Sequence, residues 1–543
     1  MAGLWMLLMP LWGQIASVCS YCLSTVILFY ASKTIWRWYI FSTANDLTST
    51  LTRDFPLPPG DFGIPFLGET LSWARQVNGS AFNLIRRKKY GNIFSTHFLG
   101  RAMVKITGAE NVRQILQGEH DKVTTIWPTT IRKILGEHSI ANSVGEEHRH
   151  LRKFAMKGFT HSALNSYISN AKKIISEKVK QWTDTAGPRK IYDDILQMTF
   201  EVSAKAMVGL TFPSNDDRNK AFSTFHEMVK NLFSLPYDLP FSGFRKGYQC
   251  KEILHAMLHE HLTKKIKRLQ CNGNDGDDGI QEDNDVMQYI LEADMEENRK
   301  KQLHCWDSDS ERSGDENEKC GFTIEELKQN AVELMFAGFQ TTGSSISSLM
   351  IQLAKHSDVR KKVEDELEEH GFLGAEDSEI NLERIQKLTY LEQVIKETLR
   401  VMPPILGGYR RALKTFEIGG YRIPKDWTII YNIRDTHEYE FEDDTEFNPE
   451  RFSRQNWTEN RHNRFRWLPF GGGARTCVGK EFAKLMIKLA TIELFRNFQS
   501  WEFDGGKQPP MFPIPTLHPT NGLPLIFTPR QNTVSNGNVQ FNN

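Results

Sequence analysis

Cys477 stands in the run Phe470-Gly-Gly-Gly473-Ala-Arg475-Thr-Cys477-Val-Gly479, directly ahead of a helical pattern from Lys480 to Phe495. Glycines let a backbone come close to a flat ligand and aim amide N–H groups at a sulfur, and the cation of Arg475 can serve a carboxylate. A thiolate held in this way suits an iron centre, because an anionic sulfur opposite bound oxygen favours O–O cleavage. An inert cysteine buried beside a glycine-rich turn fits the same residues. A phosphate cradle does not, since no Lys-Ser/Thr pair follows the glycines.

Other segments must position that loop. Glu397 and Arg400 are three residues apart, so on a helix they share a face and can pair. Thr323 and Glu326 form a capping box that opens a helical pattern through Leu327, Met335, Phe339 and Ile346 to about His356. At 1.5 Å per residue this helix is about 50 Å long, enough to cross a whole domain. Ala337-Gly338 and Thr341-Thr342-Gly343 interrupt its middle with poor helix formers, which predicts a local opening there. Elsewhere the pattern predicts a strand pair over 93–106 and helices over 109–117, 171–182 and 221–233. Residues 272–320 are acidic and Gly/Ser/Asn-rich, with one apolar turn from Val286 to Leu291, and read as a flexible insertion.

The chain has 543 residues with 67 Lys and Arg against 67 Asp and Glu, so no overall field argues for a nucleic-acid partner. Its seven cysteines show no spacing of a zinc site or a disulfide framework, which fits a reducing compartment. Residues 1–32 carry no charged side chain and exceed the ~20 residues of a membrane-spanning helix. Lys33, Arg37 and the aromatics Trp36, Trp38 and Tyr39 follow, which predicts a cytosolic side C-terminal to the anchor. Residues 33–60 read as a connector ending in a hinge of Pro56, Pro58, Pro59 and Gly60, residues 61–530 as the catalytic domain, and residues 531–543 as a disordered tail.

Three segments together carry a family resemblance. Phe470 to Gly479 completes the pattern FxxGxRxCxG, Glu397 to Arg400 completes ExxR, and Phe447-Asn-Pro449-Glu450-Arg451-Phe452 stands between them. In this order the motifs resemble those of the cytochrome P-450 superfamily, and the likeness extends from Pro56 to Phe527. It implies a mainly α fold with a small β-rich N-terminal lobe, preceded by one transmembrane helix. It also implies haem b held through Cys477, with Phe470 in the haem loop and Arg475, Arg410 and Arg152 at the propionate positions. Arg451 would dock on the Glu397–Arg400 pair to support that loop. Ala337-Gly338-Phe339-Gln340-Thr341-Thr342 resembles the oxygen-binding stretch, with Thr341 a donor to dioxygen and the waters beside it. Gln340 departs from the pattern, which has an acid there, so protons would come through water or another group. A helix threonine bonded to the preceding carbonyl is the structural alternative for Thr341.

Further stretches resemble the retinoic-acid-hydroxylating branch: Leu67-Gly-Glu-Thr70, Trp127-Pro with Ile131 to Gly136, Asn231 to Pro236 with Leu239 to Gly243, and Gly407 to Arg410 with Ala412 to Glu417. The branch implies a monooxygenase that hydroxylates all-trans-retinoic acid at the endoplasmic reticulum membrane, with NADPH electrons delivered by a membrane reductase. Trp127, Phe233, Leu235, Pro236, Phe241, Ile405 and Leu517 would line its pocket. Arg101, beside Gly100 on the strand pair, is the candidate clamp for the substrate carboxylate, against the alternative of a solvated strand-end arginine. A sterol or terpenoid hydroxylase shares the haem loop, and a reductase-independent haem-thiolate isomerase is compatible with Gln340.

Overall fold

The computed structural model describes residues 2–44, 54–76, 81–98, 100–183, 187–271, 284–307, 321–374, 380–443, 446–458 and 463–530. The chain forms two compact units, one of residues 1–124 with 408–435 and one of residues 125–407 with 436–543.

In the first unit, α1 spans Ala2–Thr43, and its stretch Ser17–Ser42 is long and apolar enough to cross a membrane. The helix runs on past residue 32, where the anchor is expected to end. Lys33 and Arg37 lie inside the helix, whose last turns find packing partners of their own. Trp36 lies 4.7 Å from the Phe66 ring and 5.3 Å from the His97 ring, and Ile40 is buried. Most of the connector, residues 45–53, falls outside the described residues. The sheet comprises β1 (Ile93–Phe98), β2 (Arg101–Ile106), β3 (Val123–Thr125), β4 (Gly407–Ala412) and β5 (Thr428–Asn432), in the order β1-β2-β5-β4-β3. β1 and β2 form the expected antiparallel pair, with Ile93 opposite Ile106 and Phe98 opposite Arg101, while β2 and β5 run parallel. Glu69, from the Leu67–Thr70 motif, is buried and accepts from Arg86 Nε at 2.9 Å and Thr96 Oγ1 at 2.7 Å, so that motif ties this unit together.

The second unit is mostly helical, as the mainly α expectation requires. The helices that matter for the site are α2 (Gly145–Lys157), α3 (Tyr192–Ser203), α4 (Ile324–Lys355), α5 (Thr389–Val401) and α6 (Lys480–Asn497). The helices expected over 171–182 and 221–233 begin earlier, at His161 and Asn215, where the hydroxyls of Thr160 and Ser214 accept from the N–H groups of Ala163 and Asp217. The Thr323–Glu326 capping box forms as expected.

Two expectations fail here for packing reasons. α4 runs unbroken through residues 337–343, so there is no local opening. A Cβ at Gly338 would stand 2.7 Å from Ser203 Oγ, and one at Gly343 would stand 3.0 Å from Leu196 Cδ2. The small residues thus let α3 lie close against α4. Val286 to Leu291 is the first turns of a helix, Val286–Asp307, rather than a turn inside an insertion, because Val286, Met287, Ile290 and Leu291 are buried in the core. Residues 272–283, 308–320 and 531–543, which hold the rest of the expected insertion and the tail, lie outside the described residues.

Candidate active site

Cys477 lies between a turn of 3-10 helix at Gly473–Arg475 and the start of α6. Its N–H donates to Phe470 O at 2.9 Å, which closes the loop on itself. Gly471 and Gly473 take φ of +68° and +67°, where a side chain is strained, and a Cβ at Gly471 would meet nothing within 4 Å. The backbone on that side is therefore open to a flat ligand. Cys477 is solvent-accessible, yet enough protein surrounds it that burial pushes its thiol up, against the pull of the Gly479 N–H, Arg152 and Lys480. A backbone donor and two cations act on the sulfur against that burial, as groups around a metal-binding thiol do.

Arg152, on α2, is half-buried, and burial lowers its pKa while the charge of Cys477 opposes that. Arg475 is turned to the segment before α2, donating to Ser143 O at 2.8 Å and Ile140 O at 3.3 Å. The same segment is held from α4 by Glu333, whose Oε1 accepts from Ala141 N–H at 2.7 Å, and by Trp127, whose Nε1 donates to Ala141 O at 3.1 Å. Burial pushes the Glu333 carboxyl up to about 7, against hydrogen bonds from residues 139–141 and the charge of Arg475. The sequence reading missed Glu333, although a carboxylate inside the apolar run Ala331-Val-Glu333-Leu-Met was there to be noticed.

Thr341 lies half-buried one turn beyond the exposed Ala337, and its Oγ1 donates to Ala337 O at 2.6 Å. This is the bond of the structural alternative. Gln340 is buried on a different face of α4. Leu517 is buried as well; its N–H donates to Pro404 O at 3.0 Å and its carbonyl accepts from Ser344 Oγ, which brings the half-buried Ile405 and the 516–518 segment to α4 just past Thr341.

The supporting trio is assembled as expected. Arg400 donates to Glu397 from Nε at 2.7 Å and from Nη2 at 2.8 Å, both side chains are buried, and Arg451 Nε approaches Glu397 Oε1 at 3.5 Å. Asn448 N–H adds a bond to Glu397 Oε1 at 2.9 Å. A residue not anticipated links this trio to the haem-loop segment: His437 Nδ1 bonds Arg400 O at 3.0 Å while its Nε2 accepts from Leu468 N–H at 2.8 Å. Burial drives the His437 pKa down to about 3, so the ring is neutral with its proton on Nδ1.

Phe241 is 92 % exposed, Leu235 59 %, and Phe233 and Pro236 are exposed too. They belong to the connection between the helices Asn215–Lys230 and Gly243–Cys271, with Phe241 at φ +67°. In the first unit, Arg410 is buried with its Nε 2.8 Å from Glu119, so its charge is already matched by a carboxylate. Arg101 is exposed at the start of β2, the setting of a solvated arginine.

Residues 58–527 match the family described as Cytochrome P450. The chain belongs to that family. Cytochrome P450 26B1 from Homo sapiens is 37 % identical over 523 residues, covering 95 % of this chain and 94 % of the relative. Cytochrome P450 26A1 from Gallus gallus is 37 % identical over 518 residues, covering 94 % and 97 %. The solved structure "Retinoic acid bound cyanobacterial CYP120A1" aligns with a TM-score of 0.73 and 31 % identity, over 88 % of this chain and all of that one. This P450 chain is thus a haem monooxygenase that draws reductase-delivered electrons. The accessible sulfur of Cys477, the open glycine backbone and the neighbouring cations fit that cofactor.

Proposed function

We propose that this P450 hydroxylates all-trans-retinoic acid, with Cys477 as the residue that would hold haem b and Arg152 and Arg475 as the cations that would serve its propionates. The observation that carries the substrate is the likeness, at 31 % identity and over the whole of its length, to a P450 structure bound to retinoic acid. The bound haem supplies activation of dioxygen for insertion of one oxygen atom into a C–H bond. The protein supplies the rest. Gly479 N–H, Arg152 and Lys480 oppose the burial that disfavours an anionic sulfur. Thr341 Oγ1 carries a proton that Ala337 O accepts at rest and that can turn toward dioxygen. Trp127, Ile405 and Leu517 give the apolar wall for a lipophilic substrate. The α1 helix would hold the enzyme in the endoplasmic reticulum membrane beside an NADPH-dependent reductase, with the catalytic domain in the cytosol.

A spectral titration of the purified haem protein tests the substrate. Retinoic acid should shift the ferric spectrum at micromolar concentration, and reconstitution with reductase and NADPH should yield a hydroxylated retinoid. A sterol that shifts the spectrum where retinoic acid does not would replace the retinoid by a sterol, and turnover without a reductase would replace hydroxylation by isomerisation.

A further inference from the structure

Away from the haem loop, three side chains of metal-binding type converge from three parts of the second unit. His138 lies on the connection between the helix Thr129–Leu135 and α2, Glu147 in the first turn of α2, and Glu326 in the first turn of α4. One ligand atom from each, a ring nitrogen and two carboxylate oxygens, lies within 4.8 Å of the other two. None of the three takes part in the oxygen chemistry.

Their placement is built into the fold. His138 N–H donates to Gln329 Oε1 at 3.0 Å and His138 O accepts from Asn330 Nδ2 at 3.2 Å, so α4 grips the His138 backbone one turn beyond Glu326. Glu326 Oε2 accepts from Thr323 N–H at 2.9 Å, which fixes that carboxyl at the helix start. His138 Nδ1 lies 2.8 Å from Glu147 Oε1. Both glutamates stand in first turns, where the helix dipole favours the ionised carboxylate. The three line a cavity of 490 Å³ whose wall holds five carboxylates against two cations, Arg149 and Lys153. Those cations are already matched, Arg149 by Glu146 and Lys153 by Glu297 at 3.2 Å. A second imidazole of the wall, His150, has its Nε2 3.3 Å from Glu297. The surplus charge is negative, and it draws a cation.

We propose that His138, Glu147 and Glu326 form a binding site for a divalent transition-metal ion, best fitted to Zn²⁺, with water completing a tetrahedral shell. An imidazole with two carboxylates is a donor set for zinc, whereas magnesium and calcium take oxygen ligands. Two tetrahedral ligands at about 2.0 Å from zinc stand about 3.3 Å apart. His138 and Glu147 have exposed side chains that can close to that spacing on the buried Glu326. The ion would take the place of the hydrogen between His138 Nδ1 and Glu147. Bound there, it ties the start of α2, the helix of Arg152, to the start of α4. The inference depends on neither the haem ligand nor the retinoid.

The test uses the full-length holoprotein in detergent, stripped with a chelator and titrated with Zn²⁺ by calorimetry. One equivalent should bind at micromolar concentration or below, the zinc absorption edge should show an imidazole among oxygen ligands, and the thermal midpoint should rise with the bound ion. His138→Ala and Glu147→Gln should each weaken binding by at least about tenfold with haem content unchanged. Glu326→Gln, which keeps an acceptor for Thr323, should do the same. Equal zinc affinity in all three variants would assign the ion to scattered surface histidines and overturn the proposal. Native protein that takes up no stoichiometric zinc, or an edge showing sulfur ligation, overturns it as well.

Discussion

Cys477→Ser should abolish the absorbance of a thiolate-ligated haem in the reduced carbon monoxide adduct, and a retained signature would refute the ligand assignment. Arg101 makes the opposite case. An exposed arginine keeps its water, so Arg101→Ala should change the affinity for retinoic acid by less than about 1 kcal/mol, which a titration of the variant measures. Glu333 has a pH signature of its own. With a pKa raised from 4.5 to about 7, it binds its proton more tightly folded than unfolded. The stability it contributes is therefore complete below about 4.5 and is lost as pH rises through about 7. Glu333→Gln keeps an acceptor for Ala141 N–H and removes the titration, so the variant should gain on the native protein as pH rises through that window. Parallel unfolding curves at acidic and alkaline pH would show the reverse to be true.

At the scale of elements, the buried pair of α5 is where one substitution does most damage. Arg400→Met leaves Glu397 buried without its main partner and should cost roughly 3–5 kcal/mol of unfolding free energy, with loss of haem before global unfolding. Much of this scale was legible in the sequence. The β1–β2 pair, the capped start of α4, and the order of the Glu397, Arg451 and Cys477 motifs are local or follow fixed spacings, and each is present as read. What failed depended on partners far away in the chain. The glycines of α4 read as a break, because nothing in sequence shows Ser203 and Leu196 packed against them. His437 gave no signal at all, since its two bonds are to backbone groups at Arg400 and Leu468.

For the molecule as a whole, α1 has two roles that a truncation separates. Deleting residues 1–32 should free the protein from membranes in a flotation assay while keeping haem, because Trp36 and Ile40 remain to pack on their own unit. Continued flotation would reveal a second membrane contact. The segment 139–143 also carries a consequence for how the chain reaches its native state. Its polar groups are satisfied by Glu333, 192 positions from Ala141, and by Arg475, 335 positions from Ile140. Contacts of such long sequence separation close late, since the loop entropy must be met before they form. The segment leads into α2 and Arg152, so this side of the site is completed only after α4 and the Cys477 loop are in place. Exchange of the Ala141 amide proton should then follow global unfolding rather than local fraying, and a chain arrested in synthesis before Arg475 should leave that proton unprotected.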